Sequence, residues 1–178
     1  MKKTKVINIY GGPSIGKSVL AAKLYGEMAS IPTIGDVELV SEYAKLLVWQ
    51  KDHKTLDNQP TVTKGQIRNL APVGQCDFVI TDSPIDLGLI YSSIEHLEET
   101  KALIEDYKLN NPSLEINILL KRERKGFQEV GRVHNESESI KEDQEIKQML
   151  IALKKEFIEV SNMIDPAELS RIILQNHV

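Results

Sequence analysis

Hydrophobic and polar positions alternate along Lys5-Val6-Ile7-Asn8-Ile9-Tyr10, and the run stops at Gly11-Gly12-Pro13. Alternating β-branched residues that end on such a cluster predict a short strand over 5–10 running into a loop. The spacing then changes. Between Lys17 and Ser30, Val19, Leu20, Leu24 and Met28 recur at helical intervals, and Ile31-Pro32 closes the helix. Val37-Glu38-Leu39-Val40 predicts a second strand, with Ser41 as N-cap of a helix from Glu42 to about Lys51. Asp52 to Thr63 is polar and reads as a loop, and Lys64 to about Val73 as a helix. Asp77 to Thr81 predicts the third strand, stopped by Asp82-Ser83-Pro84, and Leu87 to Lys108 a helix with a break. Ile116 to Leu120 and Arg171 to Leu174 predict the fourth and fifth strands. Between them, Lys121 to Asn135 is rich in Arg, Lys and Gly without an apolar period and reads as a lid, about 121–135. Glu136 to Val160 carries Ile140, Ile146, Met149, Leu150, Leu153 and Phe157 on one helical stripe, expected to be packing, while its acidic residues from Glu136 to Glu145 are expected to face solvent.

Strands alternating with helices predict an α/β fold of three layers, a five-stranded parallel sheet with helices on both faces. Ligands of such sheets sit at the carboxyl ends of the strands. The 178 residues suit one domain, 1–178. A net charge of -4 argues against a surface for extended nucleic acid. The single cysteine, Cys76, excludes an internal disulfide framework, fits a reducing, cytoplasmic setting, and reads as a small core residue. No apolar run approaches the roughly 20 residues of a membrane span, and the short run after Lys5 is too brief for a signal-peptide core. The histidines, His53, His96, His134 and His177, are too scattered for a metal site.

Gly11-Gly12-Pro13-Ser14-Ile15-Gly16-Lys17-Ser18 changes this general picture into a chemical one. It matches G-x-x-x-x-G-K-[ST] between a predicted strand and a predicted helix, which is the context the motif needs. Backbone N–H groups of such a loop point inward at phosphate oxygens, and the helix dipole adds positive potential. Lys17 is placed to reach the β- and γ-phosphates of ATP, and the Ser18 hydroxyl to ligate Mg²⁺. The pattern predicts a P-loop NTPase fold. No Asn-Lys-x-Asp guanine-reading motif occurs, and the length leaves no room for the second helical domain of ring-forming ATPases. A small kinase is the remaining design.

Four pieces of the chain together resemble the P-loop kinase group typified by the nicotinamide riboside kinase domain of bacterial NAD regulators and by related phage nucleotide kinases. They are Gly11 to Ser18, Val40 to Lys45, the helix with Gly65-Gln66 leading into Asp77 to Tyr91, and Arg122 to Arg132 before an acidic helix. The resemblance spans roughly Lys5 to Leu153. It implies an ATP- and Mg²⁺-dependent transfer of phosphate to a nucleoside, a nucleotide or a nicotinamide-type riboside.

Candidate residues follow from position. Asp82 ends the third strand, where a carboxylate faces the phosphates and can hold Mg²⁺ or accept the acceptor's proton. Glu42 follows the second strand at the same edge; similar kinases place there a carboxylate that contacts the acceptor, and the dipole of its own helix explains it equally well. In the lid, Arg124 and Arg132 are preferred over Arg122 as the guanidinium groups that stabilise a transferring phosphoryl group. Gln66 and Arg68, with Tyr43, are candidates to hold the acceptor, since an amide pairs with a base edge and an aromatic ring stacks on one. Trp49 reads as core, and Asp86 as a helix cap rather than a second catalytic carboxylate.

Two other functions fit the same loop. A polynucleotide or modified-base kinase would be inhibited by single-stranded DNA in a salt-dependent way. An ATP-binding regulatory module would bind nucleotide with little turnover and change its partner surface.

Overall fold

The computed structural model of the chain describes residues 3–123 and 136–177. Five strands, β1 (Lys5–Tyr10), β2 (Val37–Val40), β3 (Phe78–Thr81), β4 (Leu114–Lys121) and β5 (Ile158–Ser161), form one sheet in the order β2-β3-β1-β4-β5. All four pairings are parallel. The helices are α1 (Lys17–Ala29), α2 (Tyr43–Gln50), α3 (His53–Leu56), α4 (Gln59–Asn69), α5 (Gly88–Tyr91), α6 (Leu97–Asn110), α7 (Glu136–Ala152) and α8 (Pro166–His177).

The two-residue period of the strands sorts their side chains into two cores. Ile7 and Ile9 of β1, Phe78 and Ile80 of β3 and Ile116 and Ile118 of β4 pack with Leu20, Leu24 and Met28 of α1 and Leu169 and Ile173 of α8. Val6, Val79 and Ile104 pack together on the opposite face. Tyr10 and Leu119 continue that face against Ile146, Met149 and Leu150 of α7. Each Ile or Leu fully buried this way contributes roughly 1.5–3 kcal/mol relative to exposure, so the sheet is held from both sides. The parallel register leaves the ends of β1, β2, β3 and β4 together at one edge, where the loop after β1 lies.

The structure departs from the sequence expectations in several places. The polar stretch 52–63 holds α3 and the start of α4, because Asp52 accepts from the Thr55 N–H and Asn58 from the Thr61 N–H, with Pro60 in the first turn. Helix α4 accordingly ends at Asn69 instead of running to Val73. Ser41 does not cap α2; the Tyr43 N–H is taken by the Gln66 side chain at 2.8 Å. The break expected between Leu87 and Lys108, by contrast, is present, and divides the stretch into α5 and α6.

The largest departure lies at the C-terminal side. Helix α7 stops at Ala152, not Val160, since Lys154 adopts φ 53° and the Lys155 N–H returns to Leu150 O, closing the helix without a glycine to announce it. The chain then re-enters the sheet as β5 beside β4. Arg171 to Leu174, expected as a strand, belongs to α8, where Leu169 and Ile173 are buried four residues apart. Along α7, Ile146, Met149 and Leu150 pack as expected, whereas Ile140 and, just beyond the helix, Leu153 are exposed. Trp49 is 77% exposed and is no part of the core. Cys76 is half-buried and packs against the Val6–Val79 core. Among the described residues no helix is long and apolar enough to cross a membrane.

Candidate phosphate-binding site

The loop from Gly11 to Ser18 joins β1 to α1 and turns through a left-handed Gly16, φ 107°, which a side chain would strain. No side chain caps α1 and its first turn carries no acidic residue, so the N–H groups and positive dipole end of that turn face the loop's concavity. Lys17 folds back across the loop, its Nζ donating to Gly11 O at 2.6 Å and Gly12 O at 3.0 Å. The Ser14 hydroxyl is buried without a hydrogen-bond partner.

Asp82 is brought beside this loop by the β1–β3 pairing, whose register runs Asn8 against Thr81. Its carboxylate is buried at 6% exposure, and Oδ1 has no partner. An orphaned buried carboxylate oxygen costs free energy unless something binds it. Glu42 stands at the N-cap position of α2 without a side-chain capping bond, one strand further out.

Tyr91, at the end of α5, joins the same edge. Its hydroxyl is 3.3 Å from Glu142 Oε2. Partial burial raises the Tyr91 hydroxyl pKa well above 10, and the carboxylates of Glu142, Glu42 and Asp143 raise it further. Glu42, Tyr91, Glu142 and Asp143 thus form an acidic wall, which Asp143 joins to the loop at Gly12.

Asp143 of α7 and Arg122, the residue after β4, close over the loop itself. Asp143 Oδ1 accepts the Gly12 N–H at 2.6 Å, and Oδ2 accepts Arg122 Nε at 3.0 Å. Arg122 also donates to Pro13 O at 3.0 Å. Gly12 is required here by close approach, because a Cβ would lie 2.7 Å from the Ser139 carbonyl oxygen. On the other side of Arg122 a groove of about 240 Å³ runs past Ser14, Gly16, Val19, Asn162 and Met163. Asn162 ties its walls together, donating to Ile15 O and accepting from the Glu123 N–H. Arg122, ranked behind its lid neighbours in the sequence, is seated at the loop among the described residues. The acidic run of α7 is not simply a solvated face, and the signal was present: Asp143 precedes Ile146 by three residues and shares the helix face of the buried residues.

The remaining sequence candidates separate. Gln66 is buried, with its Oε1 on the Tyr43 N–H and its Nε2 3.4 Å from Ser41 O, so its amide is engaged in holding the β2–α2 junction. Tyr43 is half-buried with its ring directly over Gly65. Arg68 lies exposed in the last turn of α4. Arg124 and Arg132, with all but residues 121–123 of the expected lid, lie outside the described residues. Replacing Gly65 with alanine is expected to displace the Tyr43 ring and to lower the thermal unfolding midpoint. Overpacking costs about 1–3 kcal/mol, more than the helix-propensity gain of about 1 kcal/mol; an unchanged midpoint would show that the ring moves aside freely.

Asp86 proves to be no helix cap. It is 2% exposed and accepts from the Tyr10 hydroxyl at 3.0 Å, while Lys108 and Lys155 each pair with it at 2.7 Å. Both lysines also pair with Glu115, so two cations meet two anions beneath the sheet edge. The Tyr10 hydroxyl pKa is raised by burial and by the Asp86 and Glu115 charges.

The protein family described as an AAA domain matches residues 6–165. The chain belongs to that family. A solved structure titled deoxyadenosine kinase from M. mycoides with bound dATP is similar to this AAA-domain chain with a TM-score of 0.57 at 13% identity, covering 96% of this chain and 98% of that one. The family match and this likeness of fold together establish a P-loop NTPase, kinase-like fold. No curated protein matches the sequence.

For a divalent cation, no group of three or more His, Cys, Asp or Glu is placed to hold one among the described residues. Mg²⁺ does not need such a cage, since it keeps waters and phosphate oxygens and takes one or two protein ligands. The unpartnered Asp82 Oδ1 and the Ser18 hydroxyl of the loop are groups of the kind that role takes.

Proposed function

We propose that this protein transfers the terminal phosphoryl group of ATP to a hydroxyl of a small acceptor, a nucleoside, nucleotide or nicotinamide-riboside-like molecule. The observation that carries the reading is the buried, unpartnered Asp82 carboxylate oxygen beside a phosphate loop whose α1 end has no side-chain cap. In this reading Lys17 and the loop N–H groups hold the phosphates, and the groove between Val19 and Met163 takes the donor's base. Mg²⁺, held through Ser18 and Asp82, would neutralise phosphate charge. Glu42 or Asp82 accepts the proton of the attacking hydroxyl as its oxygen bonds the phosphorus and ADP leaves. The acidic wall of Glu42, Tyr91 and Glu142 supports an acceptor that presents hydroxyl or cationic groups to it.

Arg124 and Arg132 keep their expected role toward the phosphoryl group, and Tyr43 and Arg68 theirs toward the acceptor. A single domain over 1–178 and a cytoplasmic, reducing setting remain part of the proposal, as does a small kinase rather than a ring-forming ATPase.

Incubation with ATP, Mg²⁺ and a panel of nucleosides, nucleoside monophosphates and nicotinamide riboside is expected to give one class of phosphorylated product by mass spectrometry. Glu42→Gln is expected to lower kcat for that acceptor by about a hundredfold, within the range of general-base catalysis. ATP binding without transfer to any member of the panel would overturn the kinase reading.

A further inference from the structure

We propose that Asp143 makes the phosphate loop discriminate triphosphates from shorter phosphate chains, by holding the place that the terminal phosphate must take. The inference rests on the reading that the loop binds a nucleotide. Asp143 sits on the Gly12 N–H and on Arg122, two donors that a phosphate oxygen would also seek. Lys17 Nζ lies against Gly11 O and Gly12 O at the same limb of the loop. Since the lysine of such a loop reaches the β- and γ-phosphates, the carboxylate stands at the terminal-phosphate end.

A carboxylate and a phosphate cannot share those donors without repulsion. The triphosphate displaces Asp143, and Arg122 passes from carboxylate to phosphate. Asp143 is carried by α7, whose Ser139 carbonyl lies close against Gly12 and whose Glu142 accepts from Tyr91 beside Glu42. Displacement at the phosphate end is therefore felt on the acidic wall where the acceptor is read. A diphosphate, one phosphate shorter, presses on the contact less, and a monophosphate leaves it in place.

Calorimetric titration of the wild-type chain and Asp143→Asn with ATP, ADP and AMP, each with Mg²⁺, tests the assignment. Removing the charge is expected to tighten ATP binding by about tenfold, the size of one charge-assisted contact, with a smaller change for ADP and none for AMP. An unchanged ATP-to-ADP affinity ratio would overturn the proposal. Weaker ATP binding would overturn it too, by showing that Asp143 helps to hold the nucleotide or its metal. A second measurement needs no variant: hydrogen exchange across 139–152 in the wild-type chain is expected to speed up with ATP and not with AMP, and equal or greater protection with ATP counts against displacement. Failure of the wild-type chain to bind ATP would instead remove the reading beneath it, an outcome the wild-type titration alone reveals.

Discussion

Replacing Lys17 with alanine is expected to lower kcat/KM for phosphoryl transfer at least about a hundredfold, the scale on which a preorganised charge at a transition state acts, while the fold survives. Lys17 is half-buried at the loop, outside both cores, and donates to the Gly11 and Gly12 carbonyl oxygens of the loop. Its loss removes a positive charge from the place where the phosphates gather, not packing from the sheet. The far-ultraviolet circular dichroism and unfolding midpoint should stay near those of the wild type. Lys17→Arg is expected to remain severely impaired, because a planar fork does not replace a compact ammonium that must touch two loop carbonyls and the phosphates. Near wild-type turnover in Lys17→Ala would show that the loop is not where the donor is held.

Asp86→Ala should have the opposite signature, a large loss of stability. Removing one member of a buried ion group leaves the others uncompensated, at a cost of about 3–5 kcal/mol, and Asp86 is the anion that Lys108, Lys155 and Tyr10 share. Urea unfolding at neutral pH measures it. The pH dependence gives a second check. Burial is the largest single influence on the Asp86 carboxyl and would raise its pKa, but the Lys108 and Lys155 charges and their hydrogen bonds together outweigh it and hold the pKa below 3.8. A carboxyl depressed in the folded state contributes stability that is complete above its unfolded value and is lost as pH falls through the folded one. Wild-type stability should therefore keep falling below pH 3.8, and Asp86→Ala should lack that component. Lys155 behaves inversely: burial would lower it, yet Asp86 and Glu115 raise it above 10.5, so its contribution is present below that value and lost as pH rises through the folded one. A loss of less than about 1 kcal/mol, the scale of a surface pair, would mean that the cluster is solvated.

Local information carried much of the fold. The strand at Lys5–Tyr10, helix α1 and the strand at Val37–Val40 were legible because alternation, helical spacing and Gly/Pro punctuation all act over a few residues. The reading failed where a local pattern was ambiguous and a distant partner resolved it. Ile172-Ile173-Leu174 has strand composition, yet α1 offers a helix-binding face, and burial of Leu169 and Ile173 against it selects α8. Ile158–Ser161 looked like the tail of α7, but the open edge of β4 takes it as β5. Asn58 and Pro60 did carry a helix start, masked by the polarity around them.

The candidate site divides along the same line. Gly11 to Ser18 is one contiguous segment whose chemistry resides in its own backbone and lysine, so its order in the chain is enough to place it between β1 and α1. Asp82 follows from the end of an apolar strand for the same reason. Asp143 on Gly12, 131 residues apart, and Tyr10 on Asp86, 76 apart, are different. No short-range rule joins such pairs; they meet because the parallel sheet brings the ends of β1, β3 and β4 to one edge and α7 packs Ile146 and Leu150 across it. Side-chain chemistry was written in the chain, but which acid meets the phosphate loop and which is neutralised by two lysines was decided by packing, where burial makes each charge take a partner.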